Sequence, residues 1–410
     1  MSDMISLPAT PRTRVRVMEI LGNAVVGGME SYVLRLIRAL PRDAWDVICL
    51  CPYESSITHE LRNAGCTVYI TPVRDDPQWH SVHFAATLVR EHHIQVIHAH
   101  LSNAHVLGAL VSGITGVPCL ATIHGRSLPI MDLEICRTCK THVTVVTESA
   151  YWHALSLGIN PDHVQFIPNG IDTETFRNSS RPSAWRELLG VKTDQVLIGQ
   201  VGRLAPEKGP ELFLRSAWIV HRHCADARFV LVGEGPLRAE LESLVCELKL
   251  EGIVQLVGVQ FDMHHIYPAL DLLVLGSHSE GMPFALLEGM ACAIPVVATN
   301  VGGVCEVVES EKTGLLAIPG DPESIAHGVL QLIKAPERRR AMGVQARQRM
   351  VERFSFSQSA EKMVNLLASL AKQVEKESTV VGIDRVVTRS TGHSMRGRSA
   401  LITPLGRDEK

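Results

Sequence analysis

At 410 residues, 46% hydrophobic and 20% charged, the chain is too long for one ordinary core and predicts two packed domains. A net charge of −3 supplies no general attraction to nucleic acid or to an anionic membrane. Aromatic residues, at 5%, are too few for a base-stacking platform.

Residues 1–13 belong to an N-terminus without the apolar run of a secretory leader and are expected to be disordered. VRVMEI (15–20) then reads as a strand, and MESYVLRLIRAL (29–40), apolar at 33, 36, 37 and 40, as a helix. WDVICLC (45–51), CTVYIT (66–71), IQVIHAH (94–100), CLATIH (119–124), HVTVVT (142–147) and VQFIPN (164–169) follow as strands. The segment 104–123 carries no formal charge and has the length of a membrane span. Gly108, Gly113, Gly116 and Pro118 interrupt it, so helix, turn and buried strand is the expectation. Cys136 and Cys139 form a CxxC with no second pair at zinc-finger spacing, which reads as two thiols on one helical face. Ten cysteines without an export leader point to free thiols and a cytoplasmic protein.

The rhythm then restarts. QVLIGQVG (195–202), RFVLVGEG (228–235), IVQLVG (253–258), DLLVLGS (271–277), PVVAT (295–299) and GLLAIP (314–319) are strand patterns. Helical patterns such as ELFLRSAWIVHRH (211–223) and LRAELESLVCELKL (237–250) lie between most of them. Such alternation predicts an α/β fold of two doubly wound domains with parallel sheets, 14–178 and 179–355, joined through the polar run 173–185. FSQSAEKMVNLLASLAKQVEK (356–376) is a last helix. The Ser/Thr/Gly/Arg-rich tail 377–410 is expected to be disordered, with VVGIDRVV (380–387) as an alternative short strand.

Open α/β sheets bind ligands beyond the carboxyl ends of their strands. After the first strand, Gly27 and Gly28 open a helix whose free N–H groups suit an anion, although a plain tight turn explains a Gly pair equally well. Strand 119–123 delivers His124 to the same edge. In the second domain Arg203 and Lys208 leave a strand end together, and two cations there suit a diphosphate. In HSEGMPFALLEGMACAIPVVAT (278–299), Pro283 suits the first turn of a helix. Glu280 then sits in the loop before it and Glu288 about one and a half turns in. N–H groups from Gly281 through Met282 to Phe284 would be free for a phosphate or sugar hydroxyls. Glu288 suits a ribose diol and Glu280 a hexose, although a solvated helix face explains the spacing alone.

EGMPFALLEGMA resembles the Glu-x-seven-Glu motif of the family-4 retaining glycosyltransferases, which have a GT-B fold of two Rossmann-like domains facing a cleft. GGME, ATIHG, IPNGID (167–172), GRLAPEKG, LVGEGP (231–236), VGGVCEVV (301–308) and TGLLAIPGDPESIA (313–326) resemble further family segments, in the same order. The similarity spans about residues 13 to 372, and Cys305 stands where the family's GG-x-PE segment has proline.

The resemblance implies a hexosyl transfer from a nucleoside-diphosphate sugar, UDP or GDP, to a carbohydrate or lipid-linked acceptor hydroxyl, with retained configuration. Polysaccharide or glycoconjugate synthesis is the expected setting. Arg203 and Lys208 would neutralise the diphosphate. Glu288 would hold the ribose, and Glu280 with the backbone of residues 281–284, Pro283 included, the transferred sugar. Gly28 would approach the phosphates or acceptor, and His124 the sugar. Asn169, Gly170 and Asp172 would form the hinge, and the helix 356–376 would cross back to the first domain.

No cofactor is expected, and no metal, since the chain lacks an Asp-x-Asp pair. Arg35, Arg38 and Arg42 share a helical face; a solvated basic stripe is the simpler reading, a peripheral membrane contact the alternative. A sugar-nucleotide epimerase is the alternative; it would need an acid/base pair for removing the C2 proton, and the sequence singles out none. A nicotinamide-dependent oxidoreductase would need G-x-G-x-x-G, and GEGPLR (233–238) has Arg238 at the third glycine. A non-catalytic sugar-binding protein of two lobes is usually exported.

Overall fold

Among the described residues, β-branched and apolar runs bounded by turn residues become thirteen strands in two all-parallel sheets. The computed structural model describes residues 14–25, 27–177, 184–260 and 262–387, with side chains described as far as 373. The first sheet holds β1 (Val15–Leu21), β2 (Trp45–Cys51), β3 (Thr67–Ile70), β4 (Val96–His100), β5 (Cys119–Ile123), β6 (His142–Val145) and β7 (Val164–Phe166). Its order is β3-β2-β1-β4-β5-β6-β7. The second holds β8 (Val196–Val201), β9 (Ala227–Val232), β10 (Val254–Leu256), β11 (Leu272–Leu275), β12 (Val296–Thr299) and β13 (Gly314–Ala317), in the order β10-β9-β8-β11-β12-β13. Strand order therefore reverses between β1 and β4 and between β8 and β11, the two switch points where such sheets hold ligands.

Each sheet packs helices on both faces. One face of the first buries Val17, Leu21 and Leu120 against Val33, Leu36 and Ile37 of the helix Gly28–Ala39. Met363, Val364, Leu367 and Leu370 of the last helix fill the same core, so that helix does cross back to the first domain. It runs from Phe356 to Val387, past the expected end at 376. Residues 377–387, expected to be disordered with a short strand at 380–387 as the alternative, are accordingly helical. An added strand there would need an edge to pair with, whereas continuing a helix satisfies its own backbone.

The two chain crossings meet at one point. Ile171 N–H donates to Phe354 O at 2.8 Å, and Phe356 N–H donates to Ile171 O at 3.0 Å. A Cβ at Gly170 would lie 2.6 Å from Phe356 Cα, so only glycine admits this approach. Asp172 turns the chain after it, accepting from the Glu174 and Thr175 N–H groups. The expected linker 173–185 is helped into place by Arg347, which donates to the Thr173 and Phe176 carbonyls; its residues 178–183 lie outside the described residues, as do 1–13 and 388–410.

The apolar segment 104–123 is the helix Ser102–Thr115, a left-handed Gly116 and the buried strand β5. Among the described residues no helix is long and apolar enough to cross a membrane. Cys136 is buried and Cys139 exposed on the helix Ile130–Cys139, and all ten cysteines are free.

Candidate functional site

The carboxyl ends of β1 and β5 face those of β8, β11 and β12, and the residues that follow these strands meet. Gly28 opens its helix as expected, with Gly27 as the N-cap; a Cβ at Gly28 would lie 3.0 Å from the Phe284 ring of the other domain. His124 follows β5. A Cβ at Gly281 would come within 2.1 Å of the His124 carbonyl oxygen, so the two loops touch backbone to backbone. Asn169 donates its side-chain N–H to Met282 O at 2.9 Å, tying the segment after β7 to the same loop.

Lys208 and Glu280 come together. Lys208 Nζ lies 2.8 Å from both carboxylate oxygens of Glu280, and Ser277 Oγ donates to Oε1 at 2.7 Å. Arg203 does not join them directly: it is mostly exposed and pairs with Glu207. Pro283 is the N-cap residue of the helix Phe284–Ala291 rather than part of its first turn, because its extended backbone (ψ 127°) precedes the first helical residue. The N–H groups of Gly281, Met282 and Phe284 find no partner among the described residues and remain available to an anion.

Glu288 is not on a solvated face. It is buried, and its Oε1 accepts from Arg35 at 2.8 Å while its Oε2 accepts from the Tyr267 hydroxyl at 3.0 Å. This corrects the basic stripe. Arg35 is spent on Glu288, Arg38 pairs with Glu60, and Arg42, beyond the helix end, donates to Ala64 O. The three arginines present no common free face.

Residues 26–175 match the family described as Glycosyltransferase Family 4, and residues 183–349 that described as Glycosyl transferases group 1. An uncharacterized glycosyltransferase of Methanocaldococcus jannaschii is 31% identical over 66% of this chain and 74% of its own. The chain is a GT-B glycosyltransferase. The UDP-Gal:alpha-D-GlcNAc-diphosphoundecaprenol alpha-1,3-galactosyltransferase of Escherichia coli is 25% identical over 86% of this chain and 97% of its own. Among solved structures, Anabaena HepE in complex with UDP superposes with a TM-score of 0.76 at 21% identity, over 87% of this chain and all (100%) of that one. Sucrose-phosphate synthase of Thermosynechococcus elongatus gives 0.73 at 22% identity, over 87% and 99%.

In this glycosyltransferase the charges of the cleft are set by burial. Burial pushes the Glu288 carboxyl up, opposed by the charge and hydrogen bond of Arg35. Burial and then the neighbouring Glu288 push the Tyr267 phenol well above its ordinary range, so it stays a donor. Burial holds His124 well below the usual imidazole value, with the charges of His100 and His98 acting the same way. Glu30, in the first turn of the helix that Gly28 opens, is pushed by burial up to about 7 despite its own backbone N–H and the Arg203 charge.

Four groups at this cleft were not singled out from the sequence: Glu30, Ser277, Tyr267 and Glu306. Glu306 accepts from the Glu148 and Ser149 N–H groups at 2.7 and 2.9 Å, so a second-domain carboxylate caps a first-domain helix. The family-like VGGVCEVV segment contained it, but only the fold shows which N–H groups it meets.

Proposed function

We propose that the enzyme transfers a hexosyl group from a nucleoside-diphosphate sugar, UDP before GDP, to a hydroxyl of a carbohydrate or lipid-linked acceptor, with retained configuration. The observation that carries this reading is Lys208 bound to Glu280 beside the free N–H groups of Gly281, Met282 and Phe284. That arrangement offers positive charge and oriented donors to a leaving diphosphate while holding a carboxylate for sugar hydroxyls. UDP is favoured because the E. coli relative is named for UDP-Gal and the Anabaena protein was solved with UDP. The diphosphoundecaprenol in the same relative's name supports a lipid-linked acceptor and a role in polysaccharide or glycoconjugate assembly. A peripheral contact with the membrane would then bring enzyme and acceptor together, through a surface other than the three arginines.

In this reaction the bond from the anomeric carbon to the diphosphate oxygen breaks and a bond to the acceptor oxygen forms on the same face. The acceptor proton passes to the departing phosphate, so no side chain is needed as nucleophile. Lys208, Arg203 and the helix start stabilise the diphosphate as charge develops. Glu288 holds the ribose and Glu280 the transferred sugar, with His124 and Gly28 lining the opposite wall. Asn169, Gly170 and Asp172 form the hinge about which the domains close and exclude water. No cofactor or metal takes part.

The test is a panel of UDP-, GDP- and ADP-sugars screened by thermal shift, followed by NMR of the product's anomeric centre. A donor at 100 times its dissociation constant adds about 2.7 kcal/mol of stability. An inverted product would end the retaining assignment, and no shift with any sugar nucleotide would end the donor assignment.

A further inference from the structure

A row of polar side chains runs through the first sheet where its neighbours are apolar. The register sets Glu19 beside His98 and His100 beside Thr122. Glu19, His98 and His100 are fully buried, at 0% exposure. A carboxylate in such a place is costly unless every lone pair meets a donor. Glu19 Oε2 lies 2.9 Å from His100 Nε2, and His98 Nδ1 lies 3.0 Å from the same carboxylate. His98 Nε2 meets Thr122 Oγ1 at 2.8 Å. The row then leaves the sheet: His100 Nδ1 lies 3.3 Å from His124 Nε2. It stops at His124 Nδ1, which is buried and has no partner. The Tyr32 ring packs edge-on against His124, 5.4 Å between centroids, and holds the imidazole in this plane.

With His100 and His124 both held neutral by burial, proton accounting along the row has one solution. A carboxylate only accepts, so His100 carries its proton on Nε2. A neutral imidazole has a single N–H, so His100 Nδ1 is an acceptor and His124 must present N–H from Nε2. His124 Nδ1 is then a bare lone pair. The charge states agree. Burial pushes Glu19 up, but the charge of His98 and the hydrogen bonds from His100 and His98 outweigh it and hold Glu19 at about 2. Burial, then the charge of His98, lowers His100 to about 4.

We infer that Glu19 and His100 are positioning residues that fix His124 as its Nε2–H tautomer, so that Nδ1 accepts a hydrogen bond from a hydroxyl of the bound sugar. This rests on the reading that His124 lines the sugar subsite. It also sets a specificity: a hydroxyl satisfies the lone pair, whereas a carboxylate at the same place meets only repulsion. Neutral hexoses are therefore the donor class, and hexuronic acids whose carboxylate falls at this contact are excluded.

The test uses the full chain labelled with ¹⁵N-histidine. Two-bond proton–nitrogen spectra at pH 7 report each tautomer, and the His124 signals are identified by their loss in His124→Asn. The expected result is His124 protonated on Nε2 alone. Protonation on Nδ1 overturns the inference whether or not Glu19→Gln folds. Glu19→Gln, which can offer an N–H to His100, should release the tautomer and lower kcat at least about tenfold while leaving UDP affinity within about twofold. A fall in kcat with the His124 spectrum unchanged means that Glu19 is only structural, and overturns the relay. A wrong tautomer in an active enzyme sinks the relay alone, whereas a wild-type protein that transfers from no sugar nucleotide sinks the site reading beneath it.

Discussion

Arg35, in the first domain, donates to Glu288 Oε1 in the second at 2.8 Å, and its guanidinium lies over the rings of Phe284 and Phe176. The carboxylate proposed for the ribose is thus already held between a cation and the Tyr267 hydroxyl. A nucleotide has to share or displace Arg35 to reach it, which ties donor binding to the contact between the domains. Arg35 Nη1 is buried without a partner and would be available to the incoming nucleotide.

Removing Arg35 should expose how much that contact matters. Arg35→Gln leaves a buried carboxylate without its cation and should cost about 2–4 kcal/mol of stability. Adding Glu288→Gln should recover most of the loss, because the uncompensated charge goes with it. Urea unfolding of the two variants decides this. A single variant as stable as wild type means the pair is solvated and weak.

Arg203 and Lys208 should separate in the same experiment. Both are proposed to face the diphosphate, and either change to Ala should lower turnover by roughly 10², about 3 kcal/mol of barrier. Only Lys208 also neutralises a buried carboxylate, Glu280. Lys208→Ala should therefore lose about 1–3 kcal/mol of stability as well, while Arg203→Ala, where the arginine is exposed and paired with a half-buried Glu207, should lose almost none. Near-normal turnover in both would remove them from the diphosphate site.

The sheets were legible from the sequence because every strand is a short apolar run closed by Gly, Pro or polar residues, and local pattern suffices for that. The loops beyond β1, β5, β8 and β11 were legible because they carry glycine and charge where an apolar strand stops. Partnerships were not. Nothing local to Arg35 tells that its helix faces Glu288, 253 positions later in the chain, rather than solvent. Glu19, His98 and His100 sit at alternate positions of strands that otherwise read as core, and their meaning depends on a β1–β4 register that no local period specifies.

Glu30 should make stability depend on pH. Its ordinary value is 4.5 and the fold raises it to about 7. Between these the folded chain keeps a proton that the unfolded chain has released, so this contribution is complete below about 4.5 and is lost as pH rises toward 7. Glu30→Gln removes the penalty of ionising a buried acid. It should match wild type near pH 4 and exceed it at pH 8 by roughly 1–3 kcal/mol. Melting curves of both proteins across that range are the measurement, and parallel curves would show that Glu30 titrates normally.

Catalysis should need no divalent metal. A diphosphate leaving group must have its charge neutralised, and oxygen-ligated Mg²⁺ or Mn²⁺ is the usual alternative to protein cations. Those ions want carboxylates spaced to share one ion, and the chain has no Asp-x-Asp; Asp75 and Asp76 are adjacent and lie in a first-domain loop before the helix Trp79–Glu91. Among the described residues, the one trio of groups able to share an ion is Glu19, His98 and His100, buried inside the first sheet and not beside Lys208. At the cleft the nearest carboxylate, Glu280, already neutralises Lys208, so an ion there would have to displace a fixed ammonium. Lys208, Arg203 and the helix start supply the same positive charge without one. Initial rates in excess EDTA and with added Mg²⁺ or Mn²⁺ should therefore agree within about threefold, under 1 kcal/mol of barrier. A loss beyond about tenfold in EDTA, roughly 1.4 kcal/mol, that added metal restores would mean the protein cations are not the charge that lets the diphosphate leave.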